Sequence, residues 1–163
     1  MQYTVEENVA SKHYLYNCPE NFHRTMIFQK YQFKKVDTVF IPSLDVEYFG
    51  GFTGYTLNRH DGERKLRGWE DNPTSFTVVG PKGLQNIVNL MESILFKPHL
   101  TINVVEIPED LTATHNRPWE ELSYIEALGR VAYKDELTTV VPLRAESTTP
   151  GRQPVYSYLT LPA

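Results

Sequence analysis

At 163 residues, with 40% apolar residues, 16 Lys and Arg against 20 Asp and Glu and a formal net charge of −4, the chain has the size of a single domain and can bury a core. The charge excludes bulk attraction to nucleic acid and leaves only a local patch or a partner chain for such binding. The single cysteine, Cys18, excludes an internal disulfide and fits a reducing compartment. No apolar run approaches the roughly 20 residues of a membrane span. The opening Met-Gln-Tyr-Thr-Val-Glu-Glu-Asn has neither the basic nor the apolar region of a secretory signal. The chain reads as intracellular, with no membrane association.

Residues 1–11 carry little pattern. Residues 12–18 alternate, with His13, Leu15 and Asn17 on one side and Tyr14, Tyr16 and Cys18 on the other, which predicts a strand that Pro19 ends. Asn21 is placed to cap a helix reaching residue 27 or 29, with Phe22, Met26 and Gln29 at helical spacing. Residues 30–37 are basic and polar apart from Tyr31 and Phe33. Residues 38–41 suit a buried strand, and Pro42 stops it. A polar loop with Asp45 and Glu47 follows, then Gly50, Gly51 and Gly54 within a short aromatic segment that opens a helix. A strand, a loop at its C-terminal end and a Gly-rich helix start form a layout that α/β proteins use for a site.

Residues 55–57 add one or two helical turns, and the polar stretch 58–73 reads as a surface loop. Residues 75–79 predict a strand, broken by Gly80-Pro81-Lys82-Gly83. Leu84, Ile87, Val88, Met91, Ile94 and Leu95 repeat at helical spacing and mark the clearest amphipathic helix. Pro98 stops it, and Leu100–Ile107 reads as the next strand, giving a strand–helix–strand unit with a right-handed crossover. Residues 118–128 fit a helix with Pro118 at its first position. Residues 137–143 are rich in β-formers, 144–154 form a Ser/Thr/Pro/Gly loop, and 155–161 alternate like a last strand.

The chemistry expected of the opening loop is sparse. The five histidines (His13, His23, His60, His99 and His115) never fall in a His-x-His or His-x-x-x-His arrangement, so no zinc site is supported. Two loop carboxylates, Asp45 and Glu47, are ordinarily just solvated. The Gly80–Gly83 segment sits where a helix N-terminus favours anions, but it lacks the Gly-Lys-Ser/Thr ending of a phosphate loop and reads as a tight turn. Cys18, beside a proline at a strand end, reads as buried and structural. No serine lies in a Gly-x-Ser-x-Gly setting. Arg59, Arg64, Lys65 and Arg67, with Trp69 behind them, read as a solvated loop, with an RNA contact as the alternative. No catalytic set emerges from the residues themselves.

Three segments carry a resemblance. Tyr14-Leu-Tyr-Asn-Cys-Pro-Glu-Asn-Phe-His-Arg24 resembles the Tyr-Leu-Phe-Asn-Cys-Gly-Glu-Gly-x-Gln-Arg segment of tRNase Z proteins, members of the metallo-β-lactamase superfamily. The segment from Val39 to Gly54 stands where that family has a strand, His-x-His-x-Asp-His and a Gly-Leu-x-Gly helix start. Val79-Gly-Pro-Lys-Gly-Leu84 is similar to the family's Gly-Pro-x-Gly-Leu turn. The resemblance is clearest over residues 12–107, and Pro154-Val-Tyr-Ser-Tyr-Leu159 resembles a later family strand. It implies an α/β fold, a partial metallo-β-lactamase-like αββα sandwich, occupying residues 1–163 as a single and apparently truncated domain.

The departures from the pattern matter as much. The resemblance puts the family's zinc motif on Ser43, Asp45, Glu47 and Tyr48, where no histidine remains and Ser43 and Tyr48 cannot replace imidazole ligands. Gly50, Gly51 and Gly54, and the turn residues Gly80, Pro81 and Gly83, are kept. That combination resembles the N-terminal half of long-form tRNase Z, a degenerate copy of the catalytic domain. It implies no catalytic residue and no cofactor in this chain, with zinc expected in the family's catalytic half. It further implies support for removal of the 3′ trailer from precursor tRNA, a catalytic tRNase Z half or similar metallo-β-lactamase domain as partner, indirect contact with precursor tRNA, and a nuclear or mitochondrial place of work. The alternative is a repurposed protein-interaction module of the same fold without a nuclease role.

Overall fold

The runs of β-branched and aromatic residues assemble into two sheets. The computed structural model describes residues 4–7, 12–64, 74–95, 100–107, 133–134, 138–145 and 155–162. Within them β1 (Thr4–Glu7), β2 (His13–Tyr16), β3 (Val36–Phe40), β4 (Thr74–Pro81) and β5 (Leu100–Ile107) form a five-stranded sheet in chain order. β1 runs antiparallel to β2, and β2 to β5 run parallel to one another. A second, antiparallel sheet has the order β6 (Tyr133–Lys134), β7 (Thr138–Ala145) and β8 (Val155–Pro162). Helices α1 (Phe22–Phe28), α2 (Val46–Phe49), α3 (Phe52–Arg64) and α4 (Leu84–Leu95) fill the connections of the larger sheet.

The parallel strands are apolar on both faces because both faces are covered. Leu15, Val39, Val78 and Ile102 join a cluster with Phe22 and Met26 of α1, Phe52 and Tyr55 of α3, and Leu84, Val88 and Met91 of α4. Their strand neighbours Tyr14, Phe40 and Val79, with Ile107, turn the other way and meet Val140 and Tyr156 of the second sheet. The period of two along each strand thus divides one set of residues between two cores. The described residues form a helix–sheet–sheet arrangement, an α/β architecture. The helix expected at 118–128 and the loop residues 146–154 lie outside the described residues, while Arg144 and Ala145 belong to β7.

Two stretches differ from their expected structure. The pattern-poor N-terminus supplies β1, whose backbone pairs along β2 from Thr4 opposite Tyr16 to Glu7 opposite His13. The polar stretch read as a surface loop from residue 58 instead continues α3 through Arg64. Its polarity is misleading because α3 turns Arg59 inward. Only 4% of Arg59 is exposed, and its guanidinium donates to the carbonyls of Phe33 and Ser75, at 3.4 and 3.3 Å, and to that of Val36. Arg59 is therefore no member of a solvated basic cluster. Lys65, Arg67 and Trp69 lie outside the described residues.

The ends of α1 are set by backbone conformation. Asn21 occupies the N-cap position in the left-handed region (φ 63°), and its side chain makes no capping hydrogen bond, contrary to the expected cap. At the other end Lys30 N–H donates to Ile27 O and Tyr31 N–H to Met26 O, at 3.0 and 2.9 Å. Those two bonds make a Schellman motif, whose left-handed position usually belongs to glycine. Here it is Lys30, at φ 56°. The Cβ of an L residue is disfavoured there by roughly 1–2 kcal/mol. Lys30→Gly is therefore expected to stabilise the fold by about 1 kcal/mol, read as a raised urea midpoint at unchanged slope.

Candidate functional site

The parallel strands point their C-terminal ends at one loop. Ile41 N–H donates to Val79 O at 2.8 Å, extending the β3–β4 ladder by one residue before Pro42 removes the next donor. Ser43 is fully buried, and its Oγ accepts the N–H of Asp45 at 3.2 Å, a local turn of the kind serine favours. The Asp45 carbonyl then accepts the N–H groups of Tyr48 and Phe49 at 2.9 and 3.0 Å, which starts α2. Asp45 and Tyr48 are half-buried and Glu47 is exposed.

Cys18, just past β2, bolts this loop to the sheet. Its N–H donates to Tyr48 O at 2.9 Å, and its carbonyl accepts the N–H of Gly51 at 3.0 Å. A Cβ on Gly51 would stand 2.1 Å from Pro19 O, so only glycine fits between α2 and α3 at this approach. The neighbouring glycines are placed differently. A Cβ on Gly50 would lie 2.6 Å from Val46 O, and one on Gly54, already one turn into α3, would lie 3.0 Å from His23 Nδ1.

The Gly80–Gly83 segment closes the same end of the sheet. A Cβ on Gly80 would lie 2.9 Å from Leu84 Cδ2 and 3.2 Å from Ile41 Cβ. Pro81 pairs with Ile107 at the end of the β4–β5 ladder, and Gly83 takes φ 98°. The anion that the α4 N-terminus favours is supplied internally. Glu106 Oε1 accepts the N–H groups of Gly83 and Gln85 at 2.9 and 2.8 Å, a carboxylate against the positive end of the helix dipole. Its position 23 residues beyond Gly83 hid this cap from any local sequence pattern.

The second sheet seals the backbone where β3 leaves the ladder. Tyr156 N–H donates to Pro42 O at 2.8 Å, and Tyr158 OH to Ile41 O at 2.6 Å. Around them Phe40 stacks on Tyr16 with ring centroids 4.8 Å apart and meets Tyr158 at 5.2 Å and Tyr133 at 5.8 Å. Tyr16 OH and Thr160 Oγ1 lie in hydrogen-bond contact at 2.8 Å. Burial, reinforced by the neighbouring Tyr156, pushes the Tyr158 phenol well above its ordinary range. The contacts of β8 with Tyr16, Phe40, Ile41 and Pro42 join residues more than 100 positions apart, a pairing that no local spacing announced.

Zinc does not fit the donors present here. Ser43 spends its hydroxyl oxygen on a backbone N–H, Tyr48 serves through its carbonyl, and Asp45 and Glu47 bring no imidazole with them. Among the described residues no group of three or more His, Cys, Asp or Glu side chains gathers closely enough to hold a metal ion. Cys18 is fully buried, and burial pushes its thiol far above the ordinary range, so it stays protonated and unreactive.

No protein-family profile and no curated protein matches the chain. Solved structures do. Human tRNase Z, short form (ELAC1), superposes with a TM-score of 0.69 at 17% identity, over 99% of this chain and 58% of that one. A new diphosphatase from the PhnP family gives a TM-score of 0.57 at 8% identity, over 97% of this chain and 48% of that one. The metallo-β-lactamase fold protein YhfI from Bacillus subtilis gives 0.54 at 9% identity, over 94% and 48%. The chain thus spans about half the length of the structures it matches. Its parallel sheet, covering helices and second sheet reproduce part of the metallo-β-lactamase fold.

Proposed function

We propose that this chain is a non-catalytic metallo-β-lactamase-fold unit that supports endonucleolytic removal of the 3′ trailer from precursor tRNA, as the N-terminal portion of a long-form tRNase Z does. The observation that carries this reading is the site loop. Its frame is kept by Cys18, Gly51 and the β8 tyrosines, while Ser43, Asp45, Glu47 and Tyr48 offer no set of metal ligands. A frame retained without its ligands fits a subunit or domain that shapes a complex and leaves the cleavage to a partner.

The test combines metal analysis with reconstitution. The purified chain is expected to bind less than stoichiometric zinc, to cleave no precursor tRNA alone, and to associate saturably with a zinc-bearing tRNase Z domain whose trailer cleavage it enhances. Trailer cleavage by the chain alone would overturn the reading. Absence of any association with such a domain, together with saturable capture of a different protein, would favour an interaction module.

A further inference from the structure

The charge of the chain is unevenly spread. Between residues 21 and 36 the sequence carries Arg24, Lys30, Lys34 and Lys35 and neither Asp nor Glu. Since 16 Lys and Arg face 20 Asp and Glu overall, removing these four cations leaves the rest of the chain eight charges negative. All four side chains are exposed, and none forms an ion pair with a described residue. They occupy α1, the Schellman turn after it and a single 3₁₀ turn, Phe33–Lys35, a strip of consecutive chain elements.

Phe28 stands in the middle of this strip with 88% of its surface exposed. It lies four residues after Arg24 on α1 and therefore on the same helical face. Glu20 and Asp37 bound the strip, so the stretch from residue 20 to residue 37 keeps a net charge of +2. Asp37 is engaged, its Oδ2 accepting the N–H of His13 at 2.8 Å, and Asp61 of α3 lies beside its own neighbour His60 at 3.3 Å. Glu20 is exposed just before α1. Lys30 holds the left-handed position of the turn, at φ 56°, and presents its side chain to solvent there.

We propose that α1 and the Phe33–Lys35 turn form a binding surface for single-stranded RNA, with Arg24, Lys30, Lys34 and Lys35 meeting phosphates and Phe28 stacking on an unpaired base. Cations tracking a backbone beside an exposed aromatic ring are the two elements of sequence-tolerant single-strand binding. The surface goes beyond the processing role proposed above, since it requires neither a zinc-bearing partner nor a precursor tRNA.

Fluorescence anisotropy with labelled oligouridine, read across a salt series, tests it. The parent chain is expected to bind in the micromolar range at low salt, with log affinity falling against log salt at a slope of about −3, roughly 0.7 for each phosphate met. Lys30→Gly is expected to bind more weakly, to flatten that slope by about 0.7, and yet to raise the unfolding midpoint, which separates lost binding from lost folding. Phe28→Ser is expected to weaken binding roughly tenfold with the slope unchanged. Affinity that persists in the triple variant Arg24→Gln, Lys34→Gln, Lys35→Gln would overturn the assignment. So would a parent chain that binds polyglutamate or phosphatidylserine vesicles but not RNA. Neither result bears on zinc content or on association with a tRNase Z domain.

Discussion

Gly51→Ala is expected to lower the stability of this chain by about 3–5 kcal/mol, a large part of the roughly 5–15 kcal/mol that holds a domain together. The added Cβ would stand 2.1 Å from Pro19 O and 3.1 Å from Cys18 O. Both neighbours are backbone atoms, so neither can swing away as a flexible side chain can. Relief requires parting the β2 extension from the α2–α3 junction. That movement breaks the Gly51 N–H bond to Cys18 O at 3.0 Å and the Cys18 N–H bond to Tyr48 O at 2.9 Å. Each strands a buried polar group, at about 1–3 kcal/mol when unpaired.

Two glycines within α3 supply the controls. At Gly62 no atom beyond its own helix turn lies within 4 Å of the added Cβ, so Gly62→Ala is expected to gain about 0.5–1 kcal/mol of helix stability. At Gly54 the added Cβ meets His23 Nδ1 at 3.0 Å, a side chain that can shift, and the helical gain offsets the contact to leave a change within about 1 kcal/mol. Urea unfolding of the three variants reads the order directly, and the Gly51 variant should also lose roughly 10 °C in melting temperature. A Gly51 variant as stable as the Gly54 variant would show that the strand–loop–helix junction is soft. Its claim to be a preserved frame would then fall.

How far the sequence reveals this arrangement depends on how local each cause is. Strands β3 and β4 and helix α4 announce themselves because burial is written in their own residues, Val39-Phe40 and Val78-Val79 for the sheet and Leu84, Val88 and Met91 for the helix. Pro42 and Gly83 mark their own turns. By contrast β1 has no apolar run, and its place comes from pairing with β2. The polar half of α3 reads as a loop because the residues it buries, Arg59 and His60, are polar, and the acceptors of Arg59 lie 16 to 26 positions away. The same holds at the site. The turn from Ser43 to Gly50 is built from neighbouring residues, whereas Glu106 at the α4 N-terminus and Tyr156 and Tyr158 at the Ile41–Pro42 carbonyls act across the fold. Local chemistry is visible in a sequence, while long-range satisfaction of backbone groups is not.

Arg59→Met should destabilise the chain by about 2–4 kcal/mol, and the sign is the informative part. A buried cation is expensive to desolvate, and replacing buried ionic groups by apolar ones of similar volume is often neutral or favourable. That outcome requires both sides of the interaction to be removed. Here the acceptors are the backbone carbonyls of Phe33, Val36 and Ser75, which no side-chain substitution deletes. Methionine fills the space but takes the guanidinium donor from all three oxygens; Phe33 O keeps the Val36 N–H and the Tyr55 hydroxyl, and the loss of charge-assisted bonds still exceeds the desolvation recovered. It also removes the guanidinium from the Phe76 ring, 4.7 Å from the centroid, and from Tyr55 OH at 3.2 Å. Arg59→Lys keeps the charge but reaches fewer of these partners, so a loss of about 1–2 kcal/mol is expected. The Phe33 and Val36 carbonyls flank the turn that carries Lys34 and Lys35. Arg59 therefore ties the cationic strip to α3 and to the start of β4. Chemical denaturation of the two variants, with the Lys variant intermediate, checks the assignment. A Met variant as stable as the parent would mean that water already serves those carbonyls and that the buried guanidinium contributes nothing to holding the strip in place.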